Sequence, residues 1–170
     1  MARTTLIYPK IPGSNAAPLA QCIAFEKYDG TNLHWAWDCE LGWHAFGTRR
    51  DRFDLDAYGI KEFAGAHPEL ESAARLFRQS LEGPLTAVLR DQNCFNSSQI
   101  VAFTEFLGAS SFAGRHREAE EKRLVLFDIQ TEQGMLAPDL FVEHLDALPI
   151  ARTVYRGRLT GKFATDVREG

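Results

Sequence analysis

Hydrophobic and polar positions alternate most clearly in "NLHWAWDCE", residues 32–40. Leu33, Trp35, Trp37 and Cys39 fall on one side and His34, Ala36 and Asp38 on the other, the period-two pattern of a half-buried strand. "ELG" then supplies a turn and "WHAFGTR" a return strand, which together predict a hairpin. Upstream, "QCIAFEK" (21–27) reads as a further strand. In "HPELESAARLFRQSLEGP" the spacing changes: Leu70, Ala73, Ala74, Phe77 and Leu81 recur on one helical face, and Gly83-Pro84 is expected to stop the helix. "QIVAFTEFLG" (99–108) and "KRLVLFDIQ" (122–130) predict two more strands, with the solvated "GRHREAEEKR" between them. "APDLFVEHLDAL" predicts a helix with Pro138 in its first turn, "TVYRGRL" a short strand and "TGKFATDVREG" a last helix. Strands and helices mix without a βαβ rhythm, so the expected class is α+β on antiparallel sheet. With no internal repeat or low-complexity linker, residues 1–170 read as one domain.

Composition narrows the function classes. A chain of 170 residues, 45% hydrophobic, can bury its own core. A net charge of -4 argues against a bulk basic nucleic-acid binder but leaves room for a local basic cleft. No apolar run is long enough to span a bilayer, and "MARTTLIYPK" lacks the apolar core of a signal peptide; the expectation is a cytoplasmic protein with no membrane partner. Cys22, Cys39 and Cys94 are odd in number and form no CxxC, which predicts buried thiols in a reducing compartment. His34, His44, His67, His116 and His144 show no metal-ligand spacing, so no zinc site is expected.

The chemistry begins at "FEKYDGTN", residues 25–32. A lysine amine attacks only when unprotonated. From an ordinary pKa of about 10.4, holding it neutral at pH 7 costs roughly 4–5 kcal/mol, which a site must reduce. Asp29-Gly30 suggests a tight turn, with glycine accepting a positive φ, that gathers Lys27 and the following amides in one small volume. Such a volume suits attack on a phosphate whose charge must also be neutralised. On its own the tetrapeptide "KYDG" reads as an ordinary solvated lysine before a hairpin turn.

"EKYDGTN" resembles the first motif of the covalent nucleotidyltransferases, which comprise ATP-dependent DNA ligases, RNA ligases and mRNA capping enzymes. Their shared pattern is Lys-x-Asp-Gly, and the lysine forms a phosphoramidate with a nucleotide. Asn32 stands where DNA ligases and capping enzymes usually carry arginine, so the ending is similar to the RNA-ligase branch that seals nicked double-stranded RNA. Three further stretches match in order. "GTRRDRF" resembles the next motif, whose phosphate-binding arginine falls on Arg49; "FTEFLG" the third, whose glutamate falls on Glu105; "LVLFDI" the following one, whose adenine-stacking aromatic falls on Phe127, with Asp128 beside it. The match covers roughly residues 21–130. It implies an antiparallel-sheet adenylation domain with Lys27 catalytic and Glu26, Asp29, Gly30, Asn32, Arg49, Glu105 and Phe127 around the nucleotide. It also implies ATP as AMP donor, Mg²⁺ or Mn²⁺, and a broken or nicked RNA with 5′-phosphate and 3′-hydroxyl ends. The family's later Glu-Gly-x-Val and Lys-x-Lys motifs are not found, so the domain is expected to be C-terminally incomplete.

Each carried residue also has an ordinary reading. Arg49 and Arg50 near Asp51, Asp54 and Asp56 could form a surface charge cluster, and Phe127 could be plain core; Glu105 in an apolar strand needs a partner either way. A DNA ligase of the same superfamily is one alternative, argued against by Asn32. A non-catalytic nucleotide- or RNA-binding module is another, and a peptide or amide ligase a remote third.

Overall fold

In the computed structural model, which describes residues 7–10, 19–91, 95–109 and 120–169, the alternating stretch becomes strand β2. The chain order begins with β1 (Gln21–Phe25), β2 (Thr31–Asp38), β3 (Gly42–Thr48) and β4 (Phe53–Asp54). Helices α1 (Ala57–Ala66), α2 (Ala73–Phe77) and α3 (Gly83–Arg90) follow. Then come β5 (Gln99–Leu107), β6 (Arg123–Thr131), β7 (Gly134–Met135), α4 (Pro138–Leu145), β8 (Thr153–Arg158) and α5 (Gly161–Glu169). Six strands form one antiparallel sheet in the order β4-β3-β2-β5-β6-β7, while β1 and β8 pair antiparallel in a separate ribbon. The fold is therefore α+β on antiparallel sheet, as the pattern predicts.

One face of the large sheet carries Leu33, Trp35 and Trp37 of β2, Ile100, Ala102 and Phe106 of β5, and Leu124 and Leu126 of β6. Phe63, Phe77, Leu85 and Phe141 from the helices complete this core. The Trp35 ring stacks on Phe77 at 4.0 Å, and its indole N–H donates to Thr104 Oγ1 at 2.9 Å, so a bulky polar-tipped ring is buried at no cost in unmade hydrogen bonds.

Three local expectations need correction. The helix does not stop at Gly83-Pro84 but continues to Arg90. A π-helical turn at Arg78–Glu82 re-phases the ladder just before Pro84, which has no N–H to give, and Leu81 and Leu85 both stay buried across the junction. Helix α1 carried no sequence signal, because Gly59 and Gly65 dilute its apolar face; Asp56 caps it by accepting from the Gly59 amide at 2.8 Å. Gly59 is needed for close approach, since a Cβ there would lie 2.1 Å from the Asp54 carbonyl oxygen. Finally, β2 is not half-buried: His34 and Ala36, on its second face, are as buried as the tryptophans. The thiols depart as well. Cys39 is exposed just past the end of β2 and Cys22 is partly exposed on the ribbon, both unpaired; Cys94 and residues 110–119 of the charged connection lie outside the described residues.

The ribbon is fastened to the sheet at the edge of β6. Leu126 N–H donates to the Pro149 carbonyl at 2.9 Å and the Leu126 carbonyl accepts from Ala151 N–H at 2.7 Å, a short parallel bridge. One residue further on, Arg152 O accepts from Glu26 N–H at 2.8 Å. The loop between β1 and β2, residues 26–30, thus lies where ribbon and sheet meet.

Candidate functional site

Strand register decides what faces that loop. Asn32 pairs with Glu105, His34 with Phe103 and Phe103 with Asp128, so all five side chains share the second face of the sheet. A bulge in β6 beside Phe103 sets Phe127 next to Asp128 on the same face. The Phe103 and Phe127 ring centroids are 6.3 Å apart. Three strands are thereby brought to one surface, and Lys27 lies in the loop beside it.

A contact to β5 fixes the end of the loop. Gly30 N–H donates to Glu105 Oε1 at 2.9 Å. Burial raises the Glu105 carboxyl above its ordinary value; the Gly30 N–H and the Lys27 charge pull it back, and Asp29 adds to the rise. Lys27 is exposed and close enough to Glu105 to act on it electrostatically. Gly30 is not a positive-φ turn residue, contrary to the expectation. It is glycine because a Cβ would lie 2.2 Å from the Phe106 carbonyl oxygen and 2.8 Å from Leu107 Cδ2. The loop lies flat against β5, and its amide serves the glutamate rather than opening to solvent.

Glu26 turns the other way, with its carboxylate on Arg152 Nε at 3.0 Å in an exposed ion pair. Arg49 is exposed and follows directly after Thr48, the partner of Leu33, which puts it one step from the Asn32–Glu105 row. Two of the aspartates near the arginines have partners of their own. Asp51 accepts from Thr48 N–H at 3.0 Å and from the Thr48 hydroxyl at 2.7 Å, and pairs with His67 Nε2 at 2.6 Å, while Asp56 caps α1. Asp51 therefore shapes the loop that carries Arg49 and Arg50.

Two residues of this surface escaped the sequence. Tyr8 lays its ring edge-on against Phe103 (5.1 Å) and Phe127 (5.0 Å), and its hydroxyl donates to Asp128 Oδ2 at 2.8 Å. His34 is buried with neither ring nitrogen in a hydrogen bond. Burial and the Arg52 charge lower its pKa to about 4; Asp51 and the Thr48 backbone oppose them more weakly. The β2 alternation already sets His34 on the Asn32 side, so its place was readable; nothing in the sequence tied Tyr8 to Asp128.

Among the described residues no group of three or more His, Cys, Asp or Glu side chains could hold a metal ion. A cavity of about 780 Å³ lies at the other end of β2, lined by Trp37, Trp43, Thr86, Leu89 and Phe95 among others, and none of the Lys27 group borders it. No helix of the described residues is long and apolar enough to cross a membrane. No protein-family model matches this chain, and no curated protein matches it.

Proposed function

We propose that the chain is the adenylation part of an ATP-dependent RNA ligase-like protein. The amine of Lys27 attacks the α-phosphorus of ATP, a P–N bond forms, the bond to pyrophosphate breaks and the amine proton is lost. AMP then passes to a 5′-phosphate end, and a 3′-hydroxyl attacks that phosphate and expels AMP as the strand seals. The observation that carries this is the Gly30–Glu105 hydrogen bond, which fastens the Lys27 loop over the face shared by Asn32, Glu105, Phe127 and Asp128. A lysine, a phosphate-binding arginine and an aromatic shelf within one surface are what nucleotidyl transfer to an amine needs. Mg²⁺ or Mn²⁺ bound with the phosphates would supply charge neutralisation; among the described residues no group of carboxylate, thiol or imidazole side chains forms a site for it. The two later lysines of the resemblance correspond to none of these 170 residues, so weak adenylation is expected from this chain.

The test is incubation with ATP labelled at the α-phosphate, followed by digestion and mapping of the labelled peptide. Label on Lys27, lost in Lys27→Ala, supports the proposal; label on another lysine, or unchanged labelling in that variant, overturns it. A second reading, nucleotide or RNA binding without transfer, is favoured by the exposure of Lys27 and by Tyr8 lying on the shelf. Saturable ATP binding with no label in either form of the protein would select it. Nicked RNA against nicked DNA as acceptor separates the two ligase branches.

A further inference from the structure

Tyr8 is a planar ring held on Phe103 and Phe127, with a donor in the ring plane directed at a carboxylate. Those are the features a nucleobase would offer to the same three groups. The rings of Tyr8 and Phe127 have centroids 5.0 Å apart. The two rings cross at 72°, so they do not form a sandwich, and a base laid flat on Phe127 at the roughly 3.5 Å contact distance would run into the edge-on Tyr8 ring. Tyr8 and a stacked base therefore exclude one another.

We infer that Tyr8 is a built-in occupant of the base site, displaced when nucleotide binds, and that Asp128 is the group that selects a base bearing an amino donor. The inference rests on the proposed nucleotide-binding function and adds to it a gate and a source of base specificity. The chemical argument concerns what Asp128 loses. Its Oδ1 accepts from its own neighbour, Ile129 N–H, at 2.9 Å, and its Oδ2 accepts only from Tyr8 among the described residues. Asp128 is partly buried, and an acceptor there stripped of its donor is unfavourable, so whatever displaces Tyr8 must bring a donor in its place. The exocyclic amine of adenine is such a donor; a purine without one is not. Burial raises both the Tyr8 hydroxyl and the Asp128 carboxyl above their ordinary values, in keeping with a contact screened from water.

The experiment measures equilibrium binding of ATP and of purine riboside triphosphate, which lacks the amino group, to the intact chain and to Tyr8→Phe, Tyr8→Ala and Tyr8→Ala/Asp128→Ala. Circular dichroism confirms that each is folded. Because the occupied fraction of the shelf scales the apparent affinity, Tyr8→Ala should tighten ATP about 10- to 100-fold, and Tyr8→Phe, which keeps the ring and loses the hydroxyl, by less. In Tyr8→Ala, ATP should bind about 10-fold tighter than purine riboside triphosphate, and the double variant should lose that preference. Unchanged or weaker ATP binding in Tyr8→Ala overturns the gate while nucleotide binding itself stands. Equal affinity for the two nucleotides in Tyr8→Ala overturns the role of Asp128. If no folded form binds either nucleotide, the proposed function fails, and this inference with it.

Discussion

Replacing Gly30 by alanine tests the central contact of the site. The new Cβ would sit 2.2 Å from the Phe106 carbonyl oxygen, a backbone atom near the end of a strand paired on both sides, and 2.8 Å from Leu107 Cδ2. The strand cannot give way, since β5 is hydrogen-bonded on both sides by β2 and β6, so the loop must rise off it by about 1 Å to restore ordinary contact at roughly 3.5 Å. Overpacking of this kind costs about 1–3 kcal/mol. The shift also breaks the 2.9 Å bond from Gly30 N–H to Glu105 and leaves a partly buried carboxylate short of its donor, about 1–3 kcal/mol more. Alanine restricts the unfolded chain and returns about 0.4–1 kcal/mol. The net destabilisation is about 3 kcal/mol, or roughly 6–12 °C in melting temperature for a chain of this length. Urea unfolding of wild type, Gly30→Ala, Glu105→Gln and the double variant measures it. In the double variant the penalty of Gly30→Ala should shrink, because the amide group of glutamine is cheaper to leave unpaired than a carboxylate. A loss below about 1 kcal/mol in Gly30→Ala, or strict additivity in the cycle, would refute the claim that close approach and the Glu105 bond together dictate this glycine.

Two further outcomes follow from the same surface. His34 has its folded pKa lowered to about 4 against an ordinary 6.5, so the unfolded state takes up a proton first; stability is intact above about pH 6.5 and falls by up to about 3 kcal/mol as pH drops to 4. Urea unfolding at pH 7 and 4.5 should show this loss shrink markedly in His34→Leu, and an unaltered pH dependence would contradict it. Phe127→Ala should weaken ATP binding about 5- to 150-fold, from the roughly 1–3 kcal/mol worth of a base–aromatic stack, while circular dichroism stays native; unfolding without a separable binding effect would mark Phe127 as core alone.

The elements with a strong period were legible before any coordinates. The β2–β3 hairpin, β5, β6, α4 and the last helix lie where the spacing puts them, because burial of one face writes that spacing directly into the chain. What the chain hid is non-local. Gly30 looked like a turn glycine because "DG" is usually one; only the position of Phe106 shows that it is a contact glycine. The end of the long helix was misplaced because a π turn changes the phase in which Pro84 meets it. The second face of β2 looked polar because His34 is a polar letter, whereas here it is buried and unpartnered. Of the residues carried by motif order, Asn32, Glu105 and Phe127 come to one face through strand register, and Lys27 lies in the loop beside it. Arg49 stands at the margin, Glu26 is turned to Arg152, and Tyr8 was invisible because its partner lies 120 residues away.

That separation has a kinetic consequence. The contacts that place Lys27 join residues 75 positions apart at Gly30–Glu105 and 126 apart at Glu26–Arg152. Closing such loops costs entropy before any contact repays it, and long-range pairings of this kind are late events in folding. The helices and the β2–β3 hairpin can form from neighbours, but the surroundings of Lys27 exist only once the polypeptide has been made as far as Arg152 and the ribbon has closed. A chain still emerging from the ribosome, or one trapped with its ribbon open, carries the lysine without its setting.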